Sequence, residues 1–443
     1  MTTTARPGCR DCSTPSPLTP LADDGRRQGV HGLSRRHFFG AAAALGAGLA
    51  AVPSVSVRAA FGAEPGAAAD VLVVLSLRGG SDGLSVVPPV GDPHYTAARP
   101  SIAVPADVAL PLDRTFALHP ALAPLAHEWG QGRLAVVPGV GQPNASRSHF
   151  SATEELERAA PGGSVRSGWL DRALSTGPTG SPFVALQVGT GVLRQQLLGP
   201  APEIAVDELD DLGLWGSDWI GPGWSDAIRA LQDTELGGHA PPGVAAARQA
   251  LDAVDTVEAV READPDPHHG AAYPDSSLGR TLAEVARLVR ADVGLRVVAV
   301  DVGSWDMHED LGRHDAEWGR MRRELDDVGR SLAAFQTDLG ADRGRVTTVT
   351  LTEFGRRVAE NGTGGTDHGY GQTMLLLGGG VVGGVHGEWR GLAPEVLDDG
   401  DVPGTTDYRD VLGEVLVRRC GVGSLAQVFP DHSPSWRGLV RGR

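Results

Sequence analysis

Val71 to Leu77 reads V-L-V-V-L-S-L, an apolar run without polar alternation. A strand with one face in water alternates, so such a run marks a strand buried on both faces, as in a parallel sheet covered by helices on each side. Leu295 to Val302 (L-R-V-V-A-V-D-V) and the β-branched run from Val346 repeat the pattern. The amphipathic stretch Ala316 to Leu339 between them completes a strand–helix–strand unit. The chain is therefore expected to be α/β with a mostly parallel central sheet.

In such sheets ligands bind outside the carboxyl ends of the strands, and each run here ends in polar residues. After Leu77 comes R-G-G-S-D-G-L. Asp82 is a candidate metal ligand there, or Gly79, Ser81 and Gly83 form a G-x-S-x-G elbow with Ser81 as nucleophile. The elbow needs a helix directly after the serine, and Pro88 and Pro89 oppose one. After Val302, Asp306, His308, Asp310 and His314 join Asp301 in the densest group of ligand-type residues in the chain. Asp306 and His308 lie nearest the strand end and are the first choice, while Asp310 and His314, at i and i+4, are expected to share a helix face. The third run breaks at Glu353, passes through a Gly-rich loop holding Asp367 and His368, and re-enters a strand at Thr373. Carboxylate and imidazole together suit zinc, manganese or iron.

A further strand, Arg133 to Val140, leads into G-Q-P-N-A-S-R-S-H-F. Ser151 and Glu154 have capping-box spacing, so a helix begins near them with Ser146, Arg147, Ser148 and His149 just ahead. A helix amino terminus stabilises negative charge. Ser146 or Ser148 is thus a candidate nucleophile or metal ligand and Arg147 a candidate oxyanion clamp, against a reading as ordinary capping residues. Asp113 to Trp129, after His119-Pro120, and residues 407–420 read as helices. His386 lies in a turn between short β segments, and Trp215, Trp219 and Trp224 group in a Gly-rich loop. Asp264 to Gly270 (D-P-D-P-H-H-G) could chelate metal, yet its prolines suit an exposed linker.

Composition excludes several chemistries. The chain has no lysine, so its 39 basic residues are all arginine, which rules out a P-loop lysine, a Schiff-base lysine and a serine–lysine dyad. Its formal charge is −16; residues 1–59 hold seven Arg against three Asp, so the remainder carries −20. Such a surface repels nucleic acid and anionic lipid. Residues 1–33 read as disordered. They precede S-R-R-H-F-F and the Ala-rich run Gly40 to Val57, the pattern of a twin-arginine leader with V-R-A (Val57 to Ala59) as a cleavage site. The expected partner is the twin-arginine translocation machinery and the expected location is secreted or extracytoplasmic. Glycines and Pro53 leave the run too short and weakly apolar for a permanent membrane span. Cys9 and Cys12 fall in the leader, so after processing only Cys420 remains and no intrachain disulfide forms. The division expected is a leader over 1–59 and one domain over 70–443 with an acidic helical insertion around 201–291.

Taken together, the leader, S-R-S-H-F, G-S-W-D-M-H, T-E-F-G-R and G-G-T-D-H-G resemble the secreted domain-of-unknown-function 1501 family, a branch of the alkaline phosphatase and sulfatase superfamily. The resemblance runs from about Val71 to the carboxyl terminus. It implies a three-layer α/β/α sandwich with a metal site at the strand ends, holding a divalent ion (zinc, manganese, magnesium or calcium) that acts on a small oxyanion ester. Asp82 resembles the superfamily's first-strand Asp, Ser146 or Ser148 its nucleophile, and Asp306 with His308 its middle-strand Asp and His. Two pairings remain for the last strand. Asp367-His368-Gly369 matches the Asp-His-Gly motif with His386 as the further His, or Glu353-Phe354-Gly355 matches it with His368 as the further His. The second fits strand position better and puts Phe354 where the superfamily has a His ligand. The resemblance then implies that Asp306, His308 and His368 hold a first ion, and Asp82 and Glu353 a second if it binds. A degenerate member serving as a secreted binding or surface-assembly protein is the alternative.

Overall fold

Consecutive residues of the first long strand bury on opposite sides of one sheet, as its unbroken apolar run requires. In the computed structural model Val71, Val73, Leu75 and Leu77 join one core cluster, while Leu72 and Val74 join another. The structure describes residues 56–58, 70–175, 184–200, 203–207 and 242–442, without the side chains of 56–58 and 242–249. The twin-arginine pair, Cys9, Cys12 and the Trp215, Trp219 and Trp224 group lie outside the described residues.

In chain order the strands are β1 (Ser56–Arg58), β2 (Val71–Leu77), β3 (Leu110–Pro111), β4 (Ala117–Leu118), β5 (Leu134–Gly141) and β6 (Ala185–Val188), followed by β7 (Glu203–Val206), β8 (Val297–Val302), β9 (Val346–Leu351), β10 (Gln372–Gly378), β11 (Gly384–Val385) and β12 (Thr406–Asp407). β3 and β4 form a separate two-stranded sheet. The main sheet runs β1-β7-β6-β8-β2-β9-β10-β5-β11, with β12 also paired to β5. β7, β6, β8, β2 and β9 are mutually parallel. β10 is antiparallel to both β9 and β5, which leaves β5 pointing the same way as the five. The carboxyl ends of β2, β8, β9 and β5 and the amino end of β10 therefore share one edge. That edge carries the candidate site.

Helices cover both faces. Ser277–Arg290 and Arg320–Leu339 supply Leu282, Val285, Leu325 and Phe335 to the first cluster. His149–Arg158, Trp169–Leu174 and Tyr408–Arg418 supply Leu156, Trp169 and Val411 to the second. The architecture is the three-layer α/β/α sandwich, with one core on each side of a mostly parallel sheet. Residues 201–291 are not wholly an insertion: β7 belongs to the sheet and Ser277–Arg290 to a covering layer. Among the described residues no helix is long and apolar enough to cross a membrane.

Two expected helices are different. The helix expected after His119-Pro120 is instead a 3-10 turn, Pro120–Leu125, followed by the short α-helix Ala126–Gly130, because Pro124 inside it removes a backbone donor. Asp310 and His314 do not share a helix face, since the helix begins only at Arg320. The chain folds back before it, with Gly312 at φ +83° against Gly319 so closely that a Cβ on Gly312 would collide. The distant Asp264 to Gly270 run is also accounted for: the Asp264 carboxylate pairs with Arg290 and His268.

His119, 2% exposed, caps the 3-10 turn, its Nδ1 accepting from the Ala121 N–H at 3.1 Å. Burial, with smaller contributions from His314 and Arg322, brings its pKa down from 6.5 to about 4. The folded state therefore stays neutral there while the unfolded chain takes up a proton. His119 contributes stability above about pH 6.5 that is lost as pH falls towards 4. Between pH 7 and 5 the wild type is expected to lose about 2 kcal/mol more than a His119→Gln variant in urea unfolding. Equal losses would show that the ring protonates freely in the fold.

Candidate metal centre

The loop after β8 is pinned so that alternate residues face in and out. The Trp305 indole N–H donates to the Val302 carbonyl at 3.0 Å, and its backbone N–H donates to the Arg78 carbonyl at 2.8 Å. Trp305 and Met307 are 1% exposed, which leaves Asp306 and His308 facing the strand-end crevice. The turn after β2 lies directly against this loop. Gly79, at φ +115°, approaches the Asp306 backbone so closely that a Cβ would strike its nitrogen, so only glycine fits.

Four imidazole and carboxylate groups meet here. Asp306 Oδ1 lies 3.1 Å from His308 Nε2 and 3.2 Å from His368 Nε2, and those two nitrogens are 2.9 Å apart. His149 Nε2 lies 3.5 Å from Asp306 Oδ2 and is buried without a hydrogen-bond partner. His149, Asp306 and His368 place ligand atoms within 4.8 Å of one another.

The far side of each ring explains its aim. His149 Nδ1 faces Glu353 Oε1 at 2.8 Å, His308 Nδ1 faces Asp367 Oδ1 at 3.0 Å, and His368 Nδ1 faces the Arg147 carbonyl at 2.8 Å. A ring nitrogen facing an acceptor-only oxygen is the N–H donor, so in each neutral ring Nε2 carries the lone pair. Three lone pairs thus converge on one carboxylate. Without a positive charge among them they repel; with one, this is the usual arrangement of metal-binding histidines, each held from behind by an oxygen. Donors about 3–3.5 Å apart match the edges of a coordination shell with bonds of about 2.0–2.2 Å. Two or three imidazoles and a carboxylate suit zinc, manganese or iron.

Arg356 organises the site. Its side chain has no exposed surface. It donates to the carbonyls of Gly80 at 2.5 Å, Thr366 at 2.8 Å and Trp305 at 3.3 Å, to that of Gly79, and to Asp306 Oδ1 at 2.6 Å. One guanidinium therefore ties together the loops after β2, β8 and β9. Burial alone raises the Asp306 pKa, but the hydrogen bond and charge of Arg356, joined by His368 and His308 in their protonated forms, outweigh it and bring it down to about 2. Hydrogen bonds from Asn361 and His308 hold the Asp367 carboxyl below the usual range.

Sequence reasoning placed Asp306, His308 and His368 here, and the structure brings them together. His368 reaches the site because β10 runs antiparallel, so the residue ahead of it arrives at the carboxyl edge of its neighbours. His386, the other candidate, instead bonds the Val382 carbonyl through Nε2. Glu353 and Asp367, expected as ligands, hold His149 and His308 from behind. Glu353 Oε1 also accepts the Gly79 N–H at 2.9 Å. Asp82, expected as a ligand for a second ion, is 2% exposed and spent on Arg99, which bonds both of its oxygens, with Ser85 Oγ on Oδ2 at 2.6 Å. Arg147 is no free oxyanion clamp: its guanidinium pairs with Asp399 at 3.1 Å and Asp401 at 2.6 Å. Ser148 is the N-cap of the His149–Arg158 helix and its side chain makes no cap bond, while Ser146 Oγ accepts the Ser148 N–H at 3.2 Å. Ser81 is buried with its hydroxyl unpartnered, so no base activates it, and the helix after it, Gly83–Val86, is a single turn. Phe354 packs against two of the rings, 4.9 Å from His149 and 4.6 Å from His368.

His149 and Arg356 were missed as site residues. Both stand in stretches that carried the resemblance, S-R-S-H-F and T-E-F-G-R, but a helix-start His and a post-strand Arg have no spacing that marks them.

Among solved structures the chain is similar to the lipoteichoic acid synthase LtaP from Listeria monocytogenes at 8% identity, with 72% of this chain and 69% of that one covered and a TM-score of 0.32. It is also similar to the C-terminal periplasmic domain of EcEptC from Escherichia coli in complex with Zn (11%, 74% and 76%, 0.26). A third likeness is to the PsFucS1 sulfatase from Pseudoalteromonas sp. (12%, 72% and 64%, 0.27). At these scores the likenesses carry no argument about this chain's chemistry. No curated protein matches it. Residues 69–403 match the family described as protein of unknown function (DUF1501), and the chain belongs to that family.

Proposed function

We propose that this chain is an exported metal-dependent hydrolase of phosphate, sulfate or related oxyanion esters. The observation that carries the reading is the convergence of three imidazole Nε2 atoms on the Asp306 carboxylate, each ring held from behind by an oxygen. Asp306, His149, His308 and His368 would hold the ion. Once bound, a divalent ion of this kind polarises an ester oxygen and lowers the pKa of a coordinated hydroxyl or water.

The chain's own residues do the rest. Glu353, Asp367 and the Arg147 carbonyl fix the rings, and Arg356 fixes Asp306, so the donors need not reorganise during reaction. Ser148 or Ser146, at the amino end of the His149–Arg158 helix, is the candidate nucleophile, placed where the helix dipole favours developing negative charge. Twin-arginine export of the already folded protein agrees with the single cysteine left after the leader.

The test is hydrolysis of p-nitrophenyl phosphate, its diester and p-nitrophenyl sulfate by the exported protein, with added zinc or manganese and after chelation. Metal-dependent release from one of them is expected, with a loss of about 10³-fold or more in whichever of Ser148→Ala and Ser146→Ala removes the nucleophile. If both serine variants keep full activity, the attack belongs to water. One observation favours the non-catalytic alternative, a secreted binding or assembly protein: Arg147 is neutralised by Asp399 and Asp401. A metal-loaded protein inert to all three esters would support it.

A further inference from the structure

We propose that the centre holds one divalent ion, and that the buried Arg356 guanidinium stands where the charge of a second ion would otherwise fall. This rests on the metal-dependent reading above and concerns how many ions the donors serve.

A pair of ions about 3.5–4 Å apart needs separate donors for each and a bridging group. The donors here do not divide that way. Asp306 Oδ1 and the Nε2 atoms of His308 and His368 form a triangle with edges of 2.9, 3.1 and 3.2 Å, and His149 Nε2 closes on the other Asp306 oxygen. One ion with bonds of about 2.0–2.2 Å spans such a set.

The carboxylates that would serve a second ion are already engaged. Both Asp82 oxygens bond Arg99, and Ser85 adds a third bond. Glu353 accepts from the Gly79 N–H and from Thr352 Oγ1 at 3.2 Å, besides facing His149. Asp367 faces Asn361 Nδ2 at 3.1 Å and His308. Positive charge takes the remaining room. The Arg356 guanidinium lies on Asp306 Oδ1 and is held by four backbone carbonyls, so it cannot swing away without leaving them unpaired. With the Asp306 carboxylate already balanced by this fixed guanidinium, a second dication on that side finds no negative charge left to offset its own.

The experiment is metal content and calorimetric titration with zinc alone or manganese alone on the full chain, with Glu353→Gln and Asp82→Asn beside the wild type. Anomalous diffraction locates the bound metal. One equivalent per chain is expected, giving one anomalous peak among His149, His308, His368 and Asp306. Glu353→Gln should keep that single equivalent and bind it about 10–100-fold more weakly, because Glu353 acts through His149. Asp82→Asn should leave stoichiometry and affinity unchanged. Two equivalents in the wild type, or a fall from two to one in either variant, overturns the one-ion proposal and leaves the metal-dependent reading intact. No bound metal in a folded wild type overturns both.

Discussion

Asp82→Ala is expected to cost about 3–5 kcal/mol of stability while leaving bound metal unchanged. Arg99 has no exposed side-chain surface, and among the described residues Asp82 is its only carboxylate partner by hydrogen bond. The Val358 and Arg357 carbonyls, at 2.8 and 2.9 Å, remain to it, but they do not neutralise a charge. Removing one member of a buried pair strands the other, which is why the effect exceeds that of an exposed ion pair. Urea unfolding of wild type, Asp82→Ala and an Asp82→Ala/Arg99→Met double variant checks this. The double variant should recover much of the loss, since it buries no charge. A folded, fully stable Asp82→Ala protein that has lost its metal would return Asp82 to the role of ligand.

Asp306→Ala should abolish metal binding, weakening it by more than about 100-fold, because this carboxylate faces all three imidazoles. It also removes the carboxylate that, among the described residues, is the only one bonded to the Arg356 guanidinium, so part of the effect would be structural. Asp306→Asn separates the two. It keeps an oxygen acceptor for Arg356 and much of the fold, yet loses the negative charge the ion needs. Both variants, followed by metal analysis and by circular dichroism against the wild type, should be metal-free, with Asp306→Asn the better folded. Retention of stoichiometric metal in Asp306→Asn would move the centre away from this carboxylate.

Much of the site was legible because strand ends are legible. Asp306 and His308 follow a buried run, and His368 precedes another, so each could be placed at a sheet edge from its neighbours alone. The differences between expectation and structure share a physical cause. Asp82, Glu353 and Asp367 were expected to touch metal because a carboxylate at a strand end has the right chemistry. Which of its possible partners it meets depends on residues far away in sequence: Arg99 for Asp82, His149 for Glu353 and His308 for Asp367. Arg147 likewise meets two aspartates some 250 positions on.

The sequence by itself determined the α/β class, the buried runs that become the parallel strands, and the presence of carboxylates and imidazoles beside them. Local periodicity and steric preference suffice for these, because a strand buried on both faces must be apolar throughout. Only the tertiary structure decided which donors face one another. The antiparallel turn of β10 brings His368 to the edge shared by β8 and β9, and the start of the His149–Arg158 helix brings His149 over Asp306. The buried guanidiniums of Arg356 and Arg99 then fix which carboxylate faces the imidazoles and which is taken up by the scaffold. That division is a matter of Coulomb attraction and hydrogen bonding at close range, and no spacing along the chain encodes it.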